Sequence, residues 1–178
     1  MGVYPSIAMV PGRTKVSVGL MARALNMLLV ENSDDEAFLF KASISTLPIS
    51  VTHVRDAEAG VQFLNHSKPL PHLIVLELVL SGMSAADFLD WAGSTPSVRR
   101  IPTFIYTGSP IIETSLKSAV RAAFYKTPNT AHIRTMVQQM CAVAAKSAEQ
   151  KKPVARGRSG ARSRNASDVA SENRLSRD

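Results

Sequence analysis

One stretch limits the fold more than any other. Leu73-Ile74-Val75-Leu76-Glu77-Leu78-Val79-Leu80 is apolar throughout except for a single carboxylate. It has no polar alternation, so it reads as a strand and its exit, buried on both faces. An ionised carboxylate left unpaired in such a strand would cost several kcal/mol, comparable to the stability of a whole domain. Glu77 must therefore lie at the open end of the strand or be compensated. We read it as a placed site carboxylate rather than a solvated exit residue.

The segments on either side alternate strand and helix. Met27 to Val30 is a short apolar run ending in Glu31-Asn32. Ser33-Asp34-Asp35-Glu36 then has the form of a capping box, with acids that favour the first turn of a helix. That helix carries Phe40, Ile44 and Leu47 on one stripe and stops before Pro48. Strands are expected over 49–54, 101–106 and 122–126, and helices over 57–64, from Ser84, over 111–120, and from Pro128 onward. The last helix has Ile133, Met136, Val137, Met140 and Val143 on one stripe, with Cys141 packed near it. Five βα units in this order imply a parallel sheet covered on both faces, with function at the carboxyl ends of its strands.

Composition bounds the rest. Hydrophobic residues make up 45% of the 178 and aromatics only 6%, so a core must rest on aliphatic side chains. A single cysteine excludes an internal disulfide framework, and the four histidines show no common metal spacing. No apolar run approaches the roughly 20 residues of a membrane span, so no membrane association and a cytoplasmic setting are expected. The net charge of +7 sits at the ends: +3 over residues 1–26, zero over 27–146 and +4 over 147–178. We expect a flexible arm over 1–25, a domain over 26–146 and a basic disordered tail over 147–178. The tail lacks the aromatics of a base-stacking surface, so nucleic acid is not an expected partner. An adaptor whose tail binds an anionic partner is the alternative. No Ser/His/Asp set, Cys/His pair or phosphate-cradling glycine loop points to an enzyme.

In sequence order, these segments resemble response-regulator receiver domains. Leu28-Leu29-Val30-Glu31-Asn32-Ser33-Asp34-Asp35 is closest to the "VEDNPDD" opening of small standalone receivers associated with bacteriophytochromes. Val54 to Ala59 with Phe63-Leu64 resembles the second strand and helix of that group. Pro71 to Leu78 with Ser81-Gly82-Met83-Ser84 resembles "PDLILLDLNLPGMDG". Arg100-Ile101-Pro102 through Thr107-Gly108-Ser109 resembles "RIPVVVLTSS", and Ala123 to Pro128 resembles "YLxKP". The resemblance covers about 27–146. It implies a flavodoxin-like (βα)5 doubly wound five-stranded parallel sheet of order 2-1-3-4-5, with a role in two-component, or phosphorelay, signal transduction. In that family an aspartate after strand three takes a phosphoryl group from a histidine kinase. Mg²⁺ is held by that aspartate, an acidic pair and a backbone carbonyl, and neutralises the developing charge.

Carried over residue by residue, the resemblance implies a degenerate site. Glu77 stands at the phosphoacceptor position. The acidic pair is Glu31 and Asn32, one charge short, with the Val79 backbone completing a weak or absent Mg²⁺ site. Thr107 and Phe124 fill the switch positions. Thr127 stands at the lysine position, with Lys126 adjacent and able to serve only if the strand bends or bulges. Ser81 and Ala85 alter the turn after the acceptor. Loss of a carboxylate weakens binding of a hard cation, and displacing a nucleophile by about 1 Å can cost on the order of 100-fold. The expectation is a pseudo-receiver: a phosphorylation-independent interaction module that is not itself an enzyme. A working Mg²⁺-dependent phosphoacceptor is the alternative. The implied partners are a histidine kinase or an output protein, met through the face of the fourth helix, fifth strand and last helix, with homodimerisation through the same face.

Overall fold

A computed structural model describes residues 24–110 and 120–149. The expected helix over 111–120 falls almost wholly outside the described residues, as do most of the arm and tail. Five parallel strands form one sheet: β1 (Leu25–Val30), β2 (Ile49–Val54), β3 (Leu73–Leu76), β4 (Thr103–Thr107) and β5 (Val120–Tyr125). Their spatial order is β2-β1-β3-β4-β5, as expected. Helices α1 (Asp34–Ser43), α2 (Ala57–His66), α3 (Ala85–Ser94) and α4 (Thr130–Glu149) cover the two faces. Observed bounds differ from expectation by a few residues. β4 starts at Thr103 rather than Ile101, β5 starts at Val120 rather than Ala122, and α4 runs to Glu149.

The period of two along each strand sorts side chains between two cores. Met27, Leu29, Leu73, Val75, Phe104 and Tyr106 pack under α1 and α4 with Ala37, Phe40, Ile133, Met136, Val137 and Met140. Leu28, Val30, Ile74, Leu76 and Ile105 pack under α2 and α3 with Leu64, Phe88 and Leu89. Side chains such as Phe40 and Phe88 are fully buried, each contributing about 1.5–3 kcal/mol by removal from water. Cys141 is buried in the first core, and burial pushes its thiol up to about 11. Gly60 lets α2 approach α3: a Cβ there would lie 3.1 Å from the Phe88 ring.

Three helices begin at side-chain caps. Ser33, Asp56 and Ser84 accept from the backbone N–H of Glu36, Ala59 and Asp87, respectively. Because α1 and α3 start where β1 and the turn after β3 end, their first turns stand at the carboxyl rim of the sheet.

Candidate functional site at the carboxyl rim

The phase that sends Met27, Leu29, Leu73 and Val75 under α1 and α4 also applies to the next residues in step, Glu31 and Glu77. Both follow the last buried strand residue, and both are buried, at 2% and 5% exposure. Thr107 ends β4 beside them and is fully buried. The structure thus brings Glu31, Glu77 and Thr107 to one rim.

Glu77 is compensated at both oxygens. Oε1 accepts from the backbone N–H of Leu78 at 2.5 Å and of Val79 at 3.0 Å, and from the Thr107 hydroxyl. Oε2 lies 2.5 Å from the Lys126 ammonium. Thr107 Oγ1 in turn accepts from the N–H of Ser109 at 3.1 Å, so the hydroxyl proton is directed at Glu77. Glu31 Oε1 accepts from the N–H of Ser33 at 3.0 Å, and Oε2 lies 2.7 Å from Lys126. The carbonyl of Glu31 is bonded by His53 Nε2 at 2.8 Å, which fixes the imidazole as the donor.

Lys126, not Thr127, supplies the cation, which corrects the sequence assignment. The reason is a one-residue slip of register on β5. Thr103 pairs with Val120 but Phe104 pairs with Ala122, leaving Arg121 as the extra residue. The slip puts Ala122, Phe124 and Lys126 in phase with Phe104 and Tyr106. The N–H of Lys126 then donates to the Thr107 carbonyl at 2.8 Å, and its side chain, 13% exposed, turns into the rim. Thr127 instead accepts from the N–H of Asn129 at 3.2 Å, in the turn into α4. Phe124 pairs with Tyr106 across the strands and packs, half-buried, on the α1–α4 core.

The acidic pair is corrected too. Asn32 lies beyond the end of β1 and is exposed. The third carboxylate is that of Glu36, on the first turn of α1, whose Oε2 pairs with Lys126. The capping box is therefore half-formed: Ser33 caps Glu36, but the Glu36 side chain goes to Lys126, and the N–H of Ser33 goes to Glu31. In the sequence, Glu36 carries only the mark of a helix-start acid. Helix geometry carries the missed signal, because position 36 falls one turn from a cap that sits on the rim. Val79 contributes its N–H to Glu77 while its side chain is 57% exposed.

The electrostatics follow from burial and this one cation. Burial raises the Glu77 carboxyl, but hydrogen bonds from Lys126, Thr107 and Val79 outweigh it and hold the group below its ordinary range. At Glu31 burial wins over Lys126 and Ser33, and the carboxyl is raised. Burial alone would lower the Lys126 ammonium, yet its bonds to Glu31, Glu36 and Glu77 raise it well above the usual lysine range. Among the described residues no buried side-chain N or O lacks a partner.

Carboxylate oxygens of Glu31, Glu36 and Glu77 lie within 4.8 Å of one another, a spacing suited to one small cation. The Lys126 ammonium pairs with all three and takes that place. Asn32 is exposed, and Lys126 is the one cation that pairs with this acidic cluster among the described residues.

The fold is that of receiver domains in solved structures. The chain is similar to the Mn²⁺-bound response regulator Rcp1, at 26% identity over 65% of this chain and 91% of that one, with a TM-score of 0.57. It is similar to the receiver domain of a LuxO repressor protein from Vibrio parahaemolyticus, at 26% identity over 73% and 99%, with a TM-score of 0.64. The phosphorylated cyanobacterial phytochrome response regulator RcpA shares the fold at 24% identity over 66% and 91%, with a TM-score of 0.58. No protein-family model and no curated protein matches the sequence. No helix among the described residues is long and apolar enough to cross a membrane.

Proposed function

We propose that this chain is a phosphorylation-independent receiver module of two-component signalling, which acts in the cytoplasm by binding a histidine kinase or an output protein and catalyses no reaction. The observation that carries the reading is the closed hydrogen-bonding of Glu77. A phosphoacceptor must offer a carboxylate oxygen to an incoming phosphorus, beside a metal that neutralises the transferred charge. Here Oε1 already takes three donors and Oε2 is paired with Lys126. The Thr107 hydroxyl, which in receivers meets the phosphoryl group, is already bonded to Glu77. The longer side chain thus stands in for the phosphorylated acid and holds Thr107 inward without phosphate. Phe124 pairs in register with Tyr106 next to Thr107, so the state of the rim is passed to β5 and α4. That face is the proposed docking surface for the partner, or for a second copy of the chain.

Rcp1 in its Mn²⁺-bound form and RcpA in its phosphorylated form are examples of similar domains that take a metal and a phosphoryl group. The test is incubation of the full chain with acetyl phosphate and Mg²⁺, followed by intact mass. We expect no gain of a phosphoryl group, and a gain in the Glu77→Asp variant would show that the donor is competent. A stable adduct on the natural chain would overturn the reading.

A further inference from the structure

We propose that Lys126 is a built-in substitute for a divalent cation: it gathers Glu31, Glu36 and Glu77, keeps Thr107 turned to Glu77, and excludes Mg²⁺ and Mn²⁺ from the rim. The inference deepens the phosphorylation-independent reading and rests on it.

Three carboxylates from three elements converge at the rim: Glu31 after β1, Glu36 on α1 and Glu77 after β3. Two of them are buried, so solvent does not screen their mutual repulsion, and a cation is required to hold them. An ammonium has three N–H groups and no acceptor, and each of the three glutamates presents one Oε2 to it. Supply and demand match without a bound ion.

A competing Mg²⁺ would need near-octahedral oxygens at about 2.0–2.1 Å after shedding tightly held water. It would also have to displace a tethered competitor. The backbone of Lys126 is pinned to the Thr107 carbonyl, and its side chain, only 13% exposed, keeps the ammonium at high effective concentration. Charge at the rim is therefore independent of the metal content of the surroundings. The same ammonium orients Glu77 Oε2, which leaves Oε1 for Thr107. Lys126 is in this sense a positioning residue for the switch threonine.

The experiment is Mn²⁺ titration of the full chain, followed by the electron paramagnetic resonance of the free ion. The natural chain is expected to bind no stoichiometric Mn²⁺ into the millimolar range. Binding of one ion per chain at submillimolar concentration would overturn the proposal. Lys126→Met leaves the three carboxylates without their cation. It is expected to bind Mn²⁺ tighter than the natural chain by about tenfold or more, with a rise in Tm of about 5 °C on adding the ion. A folded Lys126→Met that ignores Mn²⁺ overturns the proposal, as does a variant that stays unfolded with and without the ion. A variant that folds only with Mn²⁺ supports it. Failures of the two readings are separable. Phosphorylation of a chain that binds no Mn²⁺ would sink the phosphorylation-independent reading alone. Mn²⁺ bound to a chain that gains no phosphoryl mass would sink the role of Lys126 alone.

Discussion

Two carboxylates stand two residues apart on the first turn of α1, and each meets a cation. Asp34 faces outward to Arg55, with Arg55 Nε 3.0 Å from Oδ1 and the second pair of atoms closer still. The Arg55 side chain is 68% exposed and that of Asp34 57%. Glu36 faces inward to Lys126, which is 13% exposed and also holds the buried Glu31 and Glu77. By geometry the outer pair is the better one, a two-pronged guanidinium contact. Its solvent exposure reverses the ranking. Both outer charges keep most of their water and are screened by salt, whereas Glu36, itself 46% exposed, joins a cluster in which Lys126, Glu31 and Glu77 have little water to fall back on. The comparison separates ion pairs that decorate a fold from those that determine the state of a site.

The largest test of that contrast is the removal of Lys126. Lys126→Met leaves two buried carboxylates facing each other, and loss of one partner of a buried pair typically costs about 3–5 kcal/mol. We expect a fall of that size in urea unfolding of the metal-free chain. A cost below about 1 kcal/mol would place the inner cluster in the same class as the outer pair. The raised ammonium also sets a sign. Its contribution is fully present below the ordinary lysine value of 10.5 and is lost only as pH rises through the higher folded value.

What the sequence discloses of this site divides along physical lines. Glu77 was legible because one charge in a buried apolar strand has to be accounted for. Glu31 and Thr107 were legible because strand ends in a parallel sheet meet at one rim. The alternating segments implied the parallel sheet, while the strand order came with the family resemblance. The sequence offers Lys126 only on the condition of a bulge, because a slip of register at Arg121 leaves no glycine or proline mark, and one residue inverts the face. The exposure of Asn32 is not legible either, because it lies past the end of β1, where strand alternation no longer sets a residue's surroundings. Glu36 was hidden behind a capping motif that explains its presence without fixing where its carboxylate goes.

Acid titration gives a second, smaller test, because Glu31 and Glu77 shift in opposite directions. Glu77 is held below the ordinary value of 4.5, so its contribution is present above that pH and is lost as pH falls through the folded value. Glu31 is raised above 4.5, so its ionised form weighs against the fold at neutral pH and that cost fades as pH falls. Glu77→Gln should therefore flatten the loss of stability on acidification, and Glu31→Gln should steepen it. Urea midpoints measured from neutral pH into the acid limb check both. The same slope in both variants would mean that the Thr107 and Val79 bonds to Glu77 do not separate the two carboxylates.

The smallest expected effect belongs to the outer pair. Asp34→Ala removes one of three acids from the first turn of α1 and leaves Arg55 in solvent. The helix keeps its Ser33 cap and two acids, Asp35 and Glu36, so its N-terminal dipole remains complemented. Exposed pairs of this kind contribute about 0.2–1 kcal/mol, and less as salt rises. We expect a change within that range at low ionic strength, a smaller one at high salt, and no change in Mn²⁺ response, since Asp34 has no bond to Lys126. A larger, salt-insensitive loss would mean that the first turn of α1 is set by Asp34 and Arg55 together. Glu36 would then reach Lys126 only because the outer pair aims the helix, and the two regions would act as one.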